Sequence, residues 1–176
     1  MMTNTQLNRI PSVELQLLTW LRLLEGKGVP QRVDLRRGGF KVHVHSAVHN
    51  LDGFGERVRV LNIASVVANP RYEGRGWFTG FLDLCDELNP WDATYVASVV
   101  NPRLPAFLRR RGFIEQQWAQ FYRPSKTWRA HHDWSPERAA SAQTIADAAH
   151  VEELYSQKLA SFWARGGTND VEKSSE

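Results

Sequence analysis

The chain has 176 residues, 42% hydrophobic and 11% aromatic, the length of one compact domain with enough apolar content for a sizeable core. Its net charge of +3 is too mild to indicate a nucleic-acid partner, and its single cysteine, Cys85, leaves no intramolecular disulfide and no Cys/His cluster for structural zinc. No stretch approaches the roughly 20 apolar residues that span a bilayer, and residues 1–12 lack an apolar run behind a basic leader, so the expectation is a soluble protein in the reducing cytoplasm.

From Val13 onward, Leu17, Trp20, Leu21 and Leu24 recur at helical spacing, with Ser12 placed to cap the start and Gly26 to end the run. Strand character follows over Gln31 to Arg36 and Phe40 to Val48, joined by the Gly38-Gly39 turn. In the second strand Phe40, Val42, Val44 and Ser46 alternate with Lys41, His43 and His45, which predicts a hairpin with one apolar face. After a turn at Asp52 to Gly55, the Val- and Ile-rich run Val58 to Val67 reads as a well-buried central strand.

Beyond Asn69-Pro70, the residues Trp77, Phe81, Leu84, Cys85 and Leu88 mark one face of a helix that Asn89-Pro90 stops. Thr94 to Val100 reads as a strand, Leu104 to Arg111 as a short helix ended by Gly112, and Phe113 to Tyr122 as one or two closing strands. A strand-helix-strand unit needs a right-handed crossover between parallel strands, whereas the early hairpins are antiparallel, so the sheet must be mixed. Ser135-Pro136 opens a further helical pattern towards Arg165, carrying Leu154, Tyr155, Leu159, Phe162 and Trp163. The expected division is residues 1–130 as the core domain, 131–167 as a helical extension and 168–176 as a polar, disordered tail. The extension either packs back on the domain or forms an interface with a second copy or another protein.

The segment Ala68 to Thr79 follows the buried strand and opens a helix. There Gly74 and Gly76 let the backbone approach an anion, and the first N–H groups of the helix point at it. Pyrophosphate is the natural guest, although a plain loop-to-helix glycine turn looks the same. Pro70, Tyr72, Gly74, Gly76, Trp77, Phe78 and Thr79 fall in register with the acyl-CoA loop of the GNAT superfamily of N-acyltransferases. About thirty residues on, Asn101 and the stretch Phe107-Leu108 to Gly112-Phe113 resemble that family's second signature. The chain therefore resembles a divergent GNAT member over roughly Val58 to Tyr122.

The resemblance implies an α/β (α+β) fold with a mixed, mostly antiparallel central sheet flanked by helices, here with an extra C-terminal helix. It also implies acetyl-CoA as co-substrate and a primary amine as acceptor. The pantetheine arm would enter a splay between the strands at Val58 to Val67 and Thr94 to Val100, pairing with the backbone of Val66, Val67 and Ala68. Gly74, Arg75, Gly76, Trp77, Phe78 and Thr79 would hold the pyrophosphate, Asn101 the pantetheine, and Phe107 with Arg110 or Arg111 the nucleotide end. Glu73 stands where the family has a basic or amide residue, and Arg71 or Arg75 is placed to offset its charge.

The pattern also departs at Leu108, where many members have a tyrosine that protonates the leaving thiolate. Attack by an amine needs a base as well. The candidates are Glu56, the histidines His43, His45 and His49, or a water held by Asn62 or Ser65. Exposed or hydrogen-bonded surface roles are the plainer reading of those histidines. Seven basic residues between Asn101 and His132 stand against one acid, Glu115. They suggest either phosphates of the cofactor or a solvated face. A binding or structural protein of the same shape that has lost catalysis, as in phage virions, is the competing reading. A nucleic-acid binder ranks last, because the aromatics of that region alternate in a core strand.

Overall fold

The computed structural model describes residues 1–54, 57–97, 101–117 and 119–134. Helix α2 (Val13–Leu24) starts where expected: the Ser12 hydroxyl accepts the Leu15 N–H at 3.1 Å, and Val13, Leu17, Trp20, Leu21 and Leu24 are buried. Ahead of it lies α1 (Asn4–Leu7), a single turn too short to show an apolar period, with Thr3 and Gln6 at capping-box spacing.

Strands β1 (Arg32–Arg37), β2 (Phe40–Asn50) and β3 (Arg57–Ala68) form an antiparallel meander. A 3-10 turn at Pro70–Tyr72 leads to α3 (Trp77–Leu88), β4 (Ala93–Val96), α4 (Leu104–Arg110), β5 (Ile114–Gln117), β6 (Gln120–Pro124) and the short α5 (Lys126–Arg129). The sheet order is β1-β2-β3-β4-β6-β5, with β3 and β4 its parallel pair and the other pairs antiparallel. This is the mixed, mostly antiparallel, GNAT-like arrangement expected. The expected helix from Pro136 to Arg165 and the tail after it lie outside the described residues.

Two neighbouring rows across the sheet show how the sequence sorts its faces. Val33, Val44, Ile63, Val96 and Phe121 stand side by side on five strands and all enter one core, together with Leu17 and Trp20 of α2, Phe81 and Cys85 of α3 and Leu108 of α4. One residue away, Arg32, His45, Asn62, Tyr95 and Tyr122 form the next row and face the other side. Helices α2, α3 and α4 thus cover one face, while the second face carries a smaller apolar cluster around Val58, Val60, Tyr95 and Tyr122.

The outer edge of β1 is closed by side chains. Asn4 and Asn8 accept the N–H groups of Asp34 and Arg36 at 3.2 and 3.1 Å, and Gln16 Oε1 also takes the Arg36 N–H at 2.8 Å. Short polar caps of this kind satisfy an edge strand and block pairing with another chain. Among the described residues, no helix is long and apolar enough to cross a membrane.

Candidate functional site

The site begins where two strands part. β3 and β4 pair from Val60 and Ala93 to Ile63 and Val96, and Ala97 N–H donates to Ile63 O at 3.1 Å. From Ala64 to Ala68 β2 is the strand that pairs with β3 among the described residues.

A bulge decides which side chains accompany that stretch. Val44 pairs with Ile63 and His43 with Ser65, leaving Ala64 as the extra residue. Before the bulge Leu61 and Ile63 face the helices; after it Val66 does, packed against the same core. Ser65 and Val67, the latter 59% exposed, are turned to the second face.

The following loop is pinned at its start and open at its end. Asn69 N–H donates to Gly39 O at 2.7 Å, while its Oδ1 accepts the Arg71 N–H at 3.1 Å. Gly74 and Gly76 have φ of 70° and 79°, a left-handed backbone that glycine adopts without strain. Gly76 precedes α3 and offers no side-chain cap, and Gly80 is the first residue whose N–H closes the helix, onto Gly76 O at 3.1 Å. The N–H groups of Trp77, Phe78 and Thr79 therefore form an uncapped helix terminus, which favours an anion.

Between this terminus and α4 lies a groove of about 600 Å³. Val66, Ala68, Gly74, Gly76, Trp77, Phe78, Thr79, Asn101, Phe107 and Arg110, all expected at a cofactor site, line it together. Outside its lining are Val67, on the other face, Arg71, whose guanidinium lies 4.6 Å from the Tyr72 ring centre, and the exposed Arg75. Glu73 is exposed at the rim and makes no ion pair among the described residues. Arg103, from the basic run offered for the cofactor's phosphates, also lines the groove, as do Phe40 and Leu104, which the sequence does not mark as cofactor contacts. Phe40 comes from the β1–β2 hairpin and stacks on Trp77 at 4.1 Å, a contact no local pattern announces. Trp77 in turn donates from Nε1 to Glu14 at 2.8 Å, so it is both groove wall and brace to α2.

Asn101 has a local structural role: its Oδ1 accepts the Arg103 N–H at 2.9 Å and its carbonyl the Leu104 N–H at 3.0 Å, which sets the start of α4. The basic run is largely neutralised by acids that sequence distance hid. Arg111 pairs with Asp83, Lys126 with Glu87, and both Arg123 and Arg129 with Asp86, all from α3, while Arg109 pairs with Glu115. Arg103 and Arg110 have no ion pair among the described residues, and both line the groove.

Of the candidates for proton transfer, Glu56 lies outside the described residues. Asn62 is buried at 5% exposure and Ser65 is exposed, both on the second face. His43 donates from Nδ1 to Asp34 at 2.8 Å; this contact, followed by that of Arg36, holds the Asp34 carboxyl down to about 2. Burial, then Arg32 and the neighbouring histidines, push the His45 pKa below its ordinary value, and burial does the same at His49. Cys85 is fully buried in the core, and burial keeps its thiol protonated. Leu108 is 0% exposed.

No family model matches the chain, and no curated protein sequence does. Solved structures do resemble it. A mutant AtaT toxin bound to the C-terminus of the antitoxin AtaR and acetyl-CoA is 10% identical with a TM-score of 0.41, over 51% of this chain and 61% of that one. AtaT complexed with acetyl-methionyl-tRNAfMet is 12% identical with a TM-score of 0.45, over 64% and 81%. The KacTA–DNA complex gives 15% identity and a TM-score of 0.43, over 65% and 82%. This chain spans about three fifths of the mutant AtaT chains bound to the C-terminus of AtaR. Identities of this order carry no substrate or partner from those proteins to this one.

Proposed function

We propose that this protein is an acetyl-CoA-dependent N-acyltransferase acting on a primary amine. The observation that carries the reading is the convergence, in one groove, of the end of β3 at Val66 and Ala68, an uncapped helix terminus behind two left-handed glycines, and Arg103 and Arg110, which have no ion pair among the described residues. Pantetheine offers amides that can pair with strand backbone such as that of Val66 to Ala68, pyrophosphate suits the terminus of α3, and the arginines suit the remaining phosphate. In the reaction an amine attacks the thioester carbon and the thiolate leaves. Holding the two reactants together contributes much of the rate. With Leu108 buried, the thiolate takes its proton from solvent or from a residue other than the one the family uses. The setting we propose is cytoplasmic.

Leu108 equally favours a second reading, in which the protein binds CoA or a related ligand without turnover. Calorimetric titration of acetyl-CoA tests the shared premise. Binding with a Kd on the order of 1 μM, about −8 kcal/mol, lost in Gly76→Glu, supports the groove. No binding by the folded protein sinks both readings.

A further inference from the structure

We infer that the acceptor amine is received on the second face of the sheet beside Asn62, and that His45 takes its proton. The inference rests on the acyl-CoA reading. Asn62 and His45 are direct partners in the row that precedes the parting of β3 and β4, one residue, or ~3.3 Å, from the last parallel pair Ile63 and Val96. Both end in an unsatisfied atom: Asn62 Oδ1 and His45 Nδ1 are buried and have no hydrogen-bond partner among the described residues. Buried polar atoms of native proteins are ordinarily paired, and an amide oxygen beside an imidazole nitrogen lacks only an N–H donor. A primary amine supplies that donor, and the groove would bring the thioester to the same parting from the other side.

Of the bases around the row, His45 is the one directly opposite Asn62. From β1 the row is faced by Arg32 and Asp34, from β2 by Lys41, His43 and His49, from β3 by Ser65, and from β4 by Tyr95. His43 has its Nδ1 committed to Asp34, and Tyr95 donates its hydroxyl to Gln120. His49 stacks its ring on Tyr95 at 4.3 Å and its Nε2 is likewise without a partner among the described residues, but its backbone pairs with Val58, four residues from Asn62, whereas His45 is the direct partner of Asn62. Burial and the cationic neighbours keep His45 neutral at pH 7, the form that accepts a proton. The nitrogen of the neutral amine attacks the acetyl carbon, the C–N bond forms, and the C–S bond breaks with its electron pair leaving on sulfur. The surplus proton on nitrogen goes to His45, which passes it to the thiolate or to water.

The test uses the full chain, acetyl-CoA and ethylamine as probe, reading CoA thiol release from pH 5 to 9 beside acetyl-CoA affinity. Wild type should release thiol with a rate that rises through a pKa below 6.5. His45→Gln should lose about 100-fold and that inflection, with acetyl-CoA affinity unchanged. Asn62→Asp, which keeps an acceptor oxygen, should retain more activity than Asn62→Leu. His43→Gln should keep the inflection. Equal profiles for wild type and His45→Gln, transfer of the loss to His43→Gln, or a wild type that binds acetyl-CoA yet releases no thiol above buffer would each overturn the assignment. Absence of acetyl-CoA binding would instead overturn the cofactor reading beneath it.

Discussion

Gly39 lies against Asn69 so closely that a Cβ added to the glycine would meet the Asn69 Cβ at 2.7 Å and the Tyr72 ring at 3.0 Å. The same pair shares the hydrogen bond from Asn69 N–H to Gly39 O. The tip of the β1–β2 hairpin is therefore locked to the loop that leads into the groove. Gly39→Ala should cost about 1–3 kcal/mol by overpacking and weaken acetyl-CoA binding at the same time. Thermal unfolding and calorimetry on one preparation check this, and an unchanged Tm with unchanged affinity would mean that hairpin and loop move independently.

Leu108 is enclosed in the core with Phe81, Cys85 and Phe121. Leu108→Ala should lower stability by about 2–5 kcal/mol through the cavity it leaves. Leu108→Tyr should not add an acid to the site. With no room for a ring and hydroxyl, it should destabilise by about 1–3 kcal/mol without raising turnover, as urea unfolding and a thiol-release assay would show.

The histidines of the second face set an acid-side stability limit. Both His45 and His49 are held below 6.5 when folded. Below that pH the unfolded chain binds more protons than the folded one, and stability falls as pH drops. Asp34, lowered from 3.8 to about 2, contributes stability that is lost only in that more acidic range. Urea midpoints should be flat above about pH 7 and decline below it. In His45→Gln and His49→Gln the decline should be shallower; a wild-type midpoint that stays level down to pH 5 would contradict this.

Asp86 joins α3 to the end of the sheet, accepting from Arg129 at 2.6 Å and pairing with Arg123 at 3.5 Å, with side-chain exposures of 15% for Asp86 and 10% for Arg123. Asp86→Asn should cost about 3 kcal/mol, because it leaves buried guanidinium charge uncompensated. Arg123→Met made with it should recover part of the loss, since the double change removes the stranded cation near Asp86. Chemical denaturation of the single and double variants decides the matter.

The elements were legible because each obeys a local rule. Period-3.6 apolar spacing behind Ser12 made α2, alternation made β2, and the glycines before Trp77 announced a loop opening a helix. The short α1 was legible too, through Thr3 and Gln6, but its use is not local: its asparagines serve an edge strand near residue 34. The ion pairs of the basic run were hidden for the same reason. Counted along the chain the run met one acid, whereas in the fold α3 brings Asp83, Asp86 and Glu87 beside it.

By itself, then, the sequence determined the kinds of element, their order, and the loop whose glycines and free helix terminus suit phosphate, since all of these follow from backbone preference and side-chain periodicity over a few residues. Only the tertiary structure decided which residues share the groove. The bulge at Ala64 exchanges the faces of β3, so that Val66 and Ala68 line the groove while Ser65 turns to the face of His43. One extra residue in a ladder does this through pairing with β2, and long-range pairing of that kind leaves no period in the sequence to read.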